Sequence, residues 1–164
     1  MEREHFWPTG RGEHEPTYAL ELGTGVARKC PPGVDRDAWK RQYPLRTWLT
    51  GSPDWETSEG GIDDLKTGRY PPSPEGNRQL LSYALFSWAL AGRPLDWEVA
   101  VSITHWPRYP LNILPWRAVA LVSGLDLAEH LEDLRDAAAN PYTLVPSAQS
   151  CTYCPSRAHC KASE

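Results

Sequence analysis

The alternation of apolar and polar residues predicts most of the secondary structure before any chemistry is considered. Trp97 to His105, Trp-Glu-Val-Ala-Val-Ser-Ile-Thr-His, alternates with the period of a strand, and Trp116 to Val122 reads as its antiparallel neighbour. Leu80, Leu81, Ala84, Leu85 and Trp88 recur instead at helical spacing, with Ser73 and Pro74 as N-cap and first residue and Gly92 as the stop. A second amphipathic helix is expected over Asp126–Asn140, with Leu127, Leu131, Leu134 and Ala138 on one face. Upstream, Thr17–Lys29 reads as a short hairpin turning at Gly23-Thr24-Gly25, and Val34 to Gln42 as one or two helical turns. Residues 1–16 are polar and are expected to begin irregularly.

One stretch joins this patterning to chemistry. Residues 47–55 and 61–67 read as the arms of a hairpin reversed by the polar, glycine-ended segment Glu-Thr-Ser-Glu-Gly-Gly. Such a hairpin would bring Asp54 close to Asp64, and strand alternation turns Asp64 and Lys66 to one face and Leu65 to the other. Two carboxylates and an ammonium then converge. Hard carboxylate oxygens suit Mg²⁺ or Mn²⁺, which polarises a phosphate and acidifies a bound water, while a lysine orients that water or stabilises developing charge. By spacing alone, the same residues would equally suit a solvated surface hairpin.

Composition narrows the setting. The 164 residues are enough for one domain with a real core, and 40% hydrophobic with 23% charged residues is ordinary for a globular protein. Neither a membrane-length apolar run nor a signal-peptide core is present, which leads us to expect an intracellular protein with no membrane association. A net charge of −4 does not advertise nucleic-acid binding, although grouped acids can mask a local basic groove. Sixteen prolines and twelve glycines point to many turns.

Of four cysteines, one is Cys30 and three fall in Cys151-Thr-Tyr-Cys154-Pro-Ser-Arg-Ala-His-Cys160, spaced C-x₂-C-x₅-C. Three such thiolates suit Zn²⁺ or an iron–sulfur cluster, with Cys30, His159 or another histidine as fourth ligand. The chain accordingly reads as a core over residues 1–146 and a cysteine-rich metal-binding tail over 147–164 packed on it.

Taken in order, these pieces resemble the PD-(D/E)XK nuclease superfamily, and within it the RecB-like exonucleases with a C-terminal cysteine cluster, including CRISPR-adaptation and phage nucleases. The likeness rests on Gly51-Ser-Pro-Asp54, on Asp64-Leu-Lys66-Thr-Gly, on Gln79-Leu-Leu-Ser-Tyr83 as a Q-x₃-Y helix, and on the closing cysteines, and it spans residues 51–160. It implies an α/β (α+β) fold with a central mixed sheet flanked by helices, a restriction-endonuclease-like core. It also implies Mg²⁺- or Mn²⁺-dependent hydrolysis of DNA in the cytoplasm of a prokaryotic or phage-infected cell. Asp54 and Asp64 would ligate metal, Lys66 would position the nucleophile, and Gln79 with Tyr83 would contact DNA or brace the site. Cys151, Cys154 and Cys160, with Cys30, would hold a structural [4Fe-4S] cluster, with Zn²⁺ as the alternative.

The departures lie at the N-terminus. No helix of the form G-T-x-x-H is evident, since Gly23-Thr24-Gly25-Val26 matches only its first letters, and Cys30 follows the first strand. Glu15, or His14 in its place, is the candidate auxiliary metal ligand. The missing elements are compatible with a minimal nuclease or with a second chain or domain that supplies them. The alternative reading is a catalytically inactive nuclease-derived module that binds DNA or protein. Arg69 and Arg78 are candidate phosphate contacts.

Overall fold

A computed structural model describes residues 12–44, 46–67, 72–106 and 115–140. In chain order the elements are β1 (Gly12–His14), β2 (Tyr18–Glu21), β3 (Ala27–Lys29), α1 (Arg36–Lys40), β4 (Trp48–Gly51), β5 (Trp55–Thr57), β6 (Ile62–Lys66), α2 (Arg78–Leu90), β7 (Glu98–His105), β8 (Trp116–Ser123) and α3 (Gly124–Ala139). The result is a mixed α/β architecture with two sheets. One has five strands in the order β1-β5-β6-β7-β8, and the other three in the order β3-β2-β4.

Among the described strands all pairings are antiparallel except β6 with β7, which runs parallel from Ile62↔Val101 to Lys66↔His105. Parallel neighbours need a long crossover, and α2 supplies it. Helix α2 packs on β2 and β3 of the small sheet, on β6 and β7 of the large one, and on α3. Leu80, Ala84, Leu85, Phe86, Ser87 and Trp88 are therefore all buried, wrapping further around the helix than one apolar stripe would. Phe86 stacks on Tyr18 of the small sheet at 5.3 Å, while Ile62, Val101 and Ile103 close the core from the large sheet. Across the α2–α3 contact, Ser82 Oγ lies 3.0 Å from His130 Nε2, and Arg78 pairs with Asp133 at 3.2 Å.

Three expectations are corrected. The arms of the hairpin are β5 and β6, not 47–55 and 61–67: β4 pairs with β2 in the other sheet. Between β4 and β5 the chain passes from sheet to sheet through Ser52-Pro53-Asp54, where Pro53 has no N–H to offer a ladder. The polar start also contains a strand, β1, whose Gly12, Glu13 and His14 pair with Thr57, Glu56 and Trp55.

The cap of α2 is Asn77, not Ser73. The Asn77 side chain accepts from the N–H groups of Gln79 and Leu80, while Ser73 Oγ donates to Glu75 at 2.7 Å in the preceding turn. At the head of α3, Ser123 and Asp126 form a reciprocal capping box, which starts that helix at Gly124.

The helix caps give a direct check. Asn77→Ala should cost about 1 kcal/mol of stability in urea unfolding, whereas Ser73→Ala should cost no more than a few tenths. Equal effects would contradict the assignment of the cap.

Candidate functional site

The site forms where β6 runs past the first turns of α2. Ile62, Asp64 and Lys66 face α2 by alternation, and Asp63 and Leu65 face away. Asp64 is buried and lies 2.5 Å from Lys66 through Oδ2, off the direction of a hydrogen bond, so the contact is an ion pair. Lys66 Nζ in turn donates to Gln79 Oε1 at 3.0 Å, and Gln79 Nε2 donates to Tyr83 OH at 2.9 Å. Because Gln79 and Tyr83 are one helical turn apart, the amide can hold the ammonium at one end and the phenol at the other.

Asp54 joins this line from the turn before β5. Its Oδ2 accepts from the Leu65 N–H at 2.6 Å, which fixes it beside β6. The five residues grade from buried (Asp64) through half-buried (Asp54, Lys66, Tyr83) to exposed (Gln79), so the line opens onto solvent. Gly51 helps to place Tyr83, because a Cβ there would lie 3.0 Å from the Tyr83 ring and 3.2 Å from Phe86.

Burial raises the Asp64 pKa above the ordinary carboxylate range. Lys66 opposes that shift, and the neighbouring charges of Asp54 and Asp63 add to it. Asp63, on the opposite face, is likewise raised by burial, against which Arg117 and the hydroxyls of Thr104 and Ser102 act. Arg117 Nε meets Asp63 Oδ2 at 2.9 Å, and Thr104 Oγ1 donates to the same oxygen at 3.1 Å.

Glu15 lies next to Asp54 without joining the line. Its N–H donates to the Asp54 carbonyl at 3.0 Å, and its backbone adopts φ 49°, uncommon for a residue with a side chain. Arg36 holds the Glu15 carboxylate at 2.9 Å and its carbonyl at 2.8 Å, and His14 lies at 4.0 Å. A cavity of about 500 Å³ lined by Glu15, Arg36, Lys40, Ser52 and Asp54 adjoins the site.

Among the described residues no three His, Cys, Asp or Glu side chains are grouped to hold a metal ion. Asp54 and Asp64 are the pair of carboxylates beside Lys66 whose donor chemistry suits a hard divalent cation. They are oxygen donors whose mutual repulsion contributes to the raised Asp64 pKa, and a cation between them would relieve it. Cys30 is half-buried, forms no disulfide among the described residues, and has its Sγ 3.7 Å from the Pro31 carbonyl. Cys151, Cys154, Cys160, His159 and Arg69 lie outside the described residues. Arg78, a candidate phosphate contact, is engaged with Asp133.

Two polar groupings had no signal in the linear sequence. His105 is buried and registers against Lys66 on the parallel strand, its ring 5.5 Å from Trp116. At the other end of α2, Glu56 accepts from both Tyr18 OH and Ser87 Oγ, and Lys29 Nζ lies 3.7 Å away. Burial first, and Glu56 second, push the Tyr18 phenol above its ordinary range. These residues line a second cavity of about 530 Å³. The β2–β3 register places Tyr18 opposite Lys29.

Compared with family models, with curated proteins and with solved structures, the chain finds no match.

The raised Asp64 pKa has a thermodynamic sign. The folded state binds this proton more tightly than the unfolded chain, so the stability it contributes is present below the ordinary value of 3.8 and lost as pH rises through the raised value. Asp64→Asn should therefore stabilise the protein at pH 7, by about 1 kcal/mol, as is common where a functional charge is removed. The gain should vanish as pH falls below about 4. Urea unfolding at both pH values is the measurement, and a neutral-pH loss would show that the Lys66 pair outweighs burial.

Proposed function

We propose that this chain is a Mg²⁺- or Mn²⁺-dependent deoxyribonuclease of the PD-(D/E)XK type, with a restriction-endonuclease-like core, acting as an exonuclease. The observation that carries the reading is the fixation of Lys66. Its ammonium is held between the Asp64 carboxylate and the Gln79 amide, beside a second carboxylate at Asp54. A solvated surface lysine is not braced from two elements in this way, because ordering a long side chain costs entropy that solvation does not return.

The geometry supports a division of labour. Asp54 and Asp64 are the residues that would hold the divalent cation, with Glu15 close enough in the chain fold to assist from the adjoining cavity. When bound, the cation would supply Lewis-acid polarisation of the scissile phosphate. Lys66 offers a directed N–H and a positive charge to the phosphate or to the attacking water. As the water oxygen bonds to phosphorus, the ester P–O bond breaks, the proton that the water loses passes to solvent and the departing oxygen takes one from solvent. Asp64 also holds the Lys66 ammonium through their ion pair at 2.5 Å. Gln79 and Tyr83 hold Lys66 in place and lie at the solvent edge, where a polymer can reach them.

The cysteine tail belongs to the same reading. Cys151, Cys154 and Cys160, with Cys30 as fourth ligand, would bind a structural [4Fe-4S] cluster, and a zinc ion is the alternative. Anaerobically purified protein should be brown and contain iron and sulfide. A colourless protein with stoichiometric zinc would replace the cluster by the ion, and neither metal would remove this part of the proposal.

The catalytic test uses end-labelled single- and double-stranded DNA with and without Mn²⁺. The wild type should cut only with metal. Asp64→Ala and Lys66→Ala should each lower the rate on the order of 10²- to 10⁴-fold. Gln79→Ala should cost about tenfold, as expected for a residue acting through Lys66. Cleavage that persists in Asp64→Ala would sink the assignment. Wild-type protein that binds DNA but does not cut it would favour the inactive binding module.

A further inference from the structure

Strand β8 closes the described five-stranded sheet on one side, with only β7 paired to it. It is long for an edge, eight residues paired without a bulge from Glu98↔Ser123 to His105↔Trp116. Edges are usually protected by lysine, proline, a bulge or a very short strand. None of these is present in Trp-Arg-Ala-Val-Ala-Leu-Val-Ser, and its one charge, Arg117, is turned onto Asp63 and Ser102.

Apolar exposure gathers at the same place. Eight large apolar side chains stand exposed among the described residues, and five of them, Leu95, Trp116, Val119, Leu121 and Leu125, lie on β8 or at its end. Val119 is 52% exposed and Leu121 65%, both on the sheet face that carries Asp63. Leu125 follows directly in α3, and the Leu95 backbone lies against Gly124. An apolar group of this kind along an edge that no other described strand pairs marks a contact surface.

We propose that this surface pairs with a second copy of the chain, β8 against β8 in antiparallel fashion about a two-fold axis through Ala120, to make a continuous ten-stranded sheet. The register follows from the side chains. With Ala120 on the axis, Val119 of one copy meets Leu121 of the other, and Leu121 meets Val119, so the two exposed aliphatic residues cover each other twice. Arg117 then meets Ser123, and no like charges are opposed. Trp116 falls opposite Gly124, beside Leu125 and Leu95. A shift of the axis to Val119 would instead set Leu121 against Arg117, and a shift to Leu121 would set Val119 against Ser123. This pairing is independent of the nuclease reading.

Sedimentation velocity of the full chain at tens of micromolar tests it. The expected species is a dimer of twice the 18.4 kDa chain mass. Val119→Lys and Leu121→Glu should each weaken association at least tenfold, with unchanged far-UV circular dichroism. The double variant Val119→Lys/Leu121→Glu sets each lysine against a glutamate of the other copy in this register, and should regain the dimer. A monomeric wild type, a dimer that survives both single substitutions, or a double variant no better than either single would overturn the proposal.

Discussion

The burial of helix α2 on three sides is the constraint on which the rest of the molecule depends. A helix wedged between two sheets and a second helix must be apolar nearly all round, and α2 is so through Leu80, Ala84, Leu85, Phe86 and Trp88. Tyr18, Glu56 and Ser87 bring polar groups into this wedge and engage one another. Glu56 from the large sheet accepts from Tyr18 of the small sheet and from Ser87 of α2, so one carboxylate ties the three layers together. Leaving any of these partners unpaired would expose the cost of a buried polar group, which is on the order of 1–3 kcal/mol.

Because α2 is held this firmly, its first turns provide a rigid support for Gln79 and Tyr83. The close approach of β4 at Gly51 presses the same point from the other side. Lys66 therefore meets a fixed amide rather than a mobile one. The site is a set of short contacts between β6 and α2, the two elements joined in the only parallel crossover among the described strands.

Much of this was legible in the sequence where the signal is local. The alternation in β7 and β8, the helical spacing of Leu80, Ala84, Leu85 and Trp88, and the turn at Gly23-Thr24-Gly25 all depend on neighbouring residues, and those elements stand where the pattern puts them. Asp64 and Lys66 share a face for the same reason. The failures have equally physical causes. Ser73-Pro74 and Asn77 are both acceptable helix starts, and the choice falls to a turn closed by the Asn77 N–H on the Pro74 carbonyl at 3.2 Å. The run from 47 to 55 looks continuous, but Pro53 marks a change of sheet that periodicity cannot register. Strand β1 is three polar residues long and carries no apolar alternation. The Tyr18–Glu56–Ser87 group and the Asp63–Arg117 pair join distant segments, and nothing local announces them.

The adjacent aspartates of β6 carry a further consequence. Asp63 and Asp64 are both buried, on opposite faces, and each has a cation on its own side, Arg117 for one and Lys66 for the other. A slip of one residue in the pairing of β6 would exchange their faces, facing Asp64 toward Arg117 and stranding Lys66 on the wrong side. The strand thus carries a charge-coded lock on its alignment in addition to its apolar pattern. A change in the length of the Ser58–Gly61 turn that carried through into β6 would break both pairs at once.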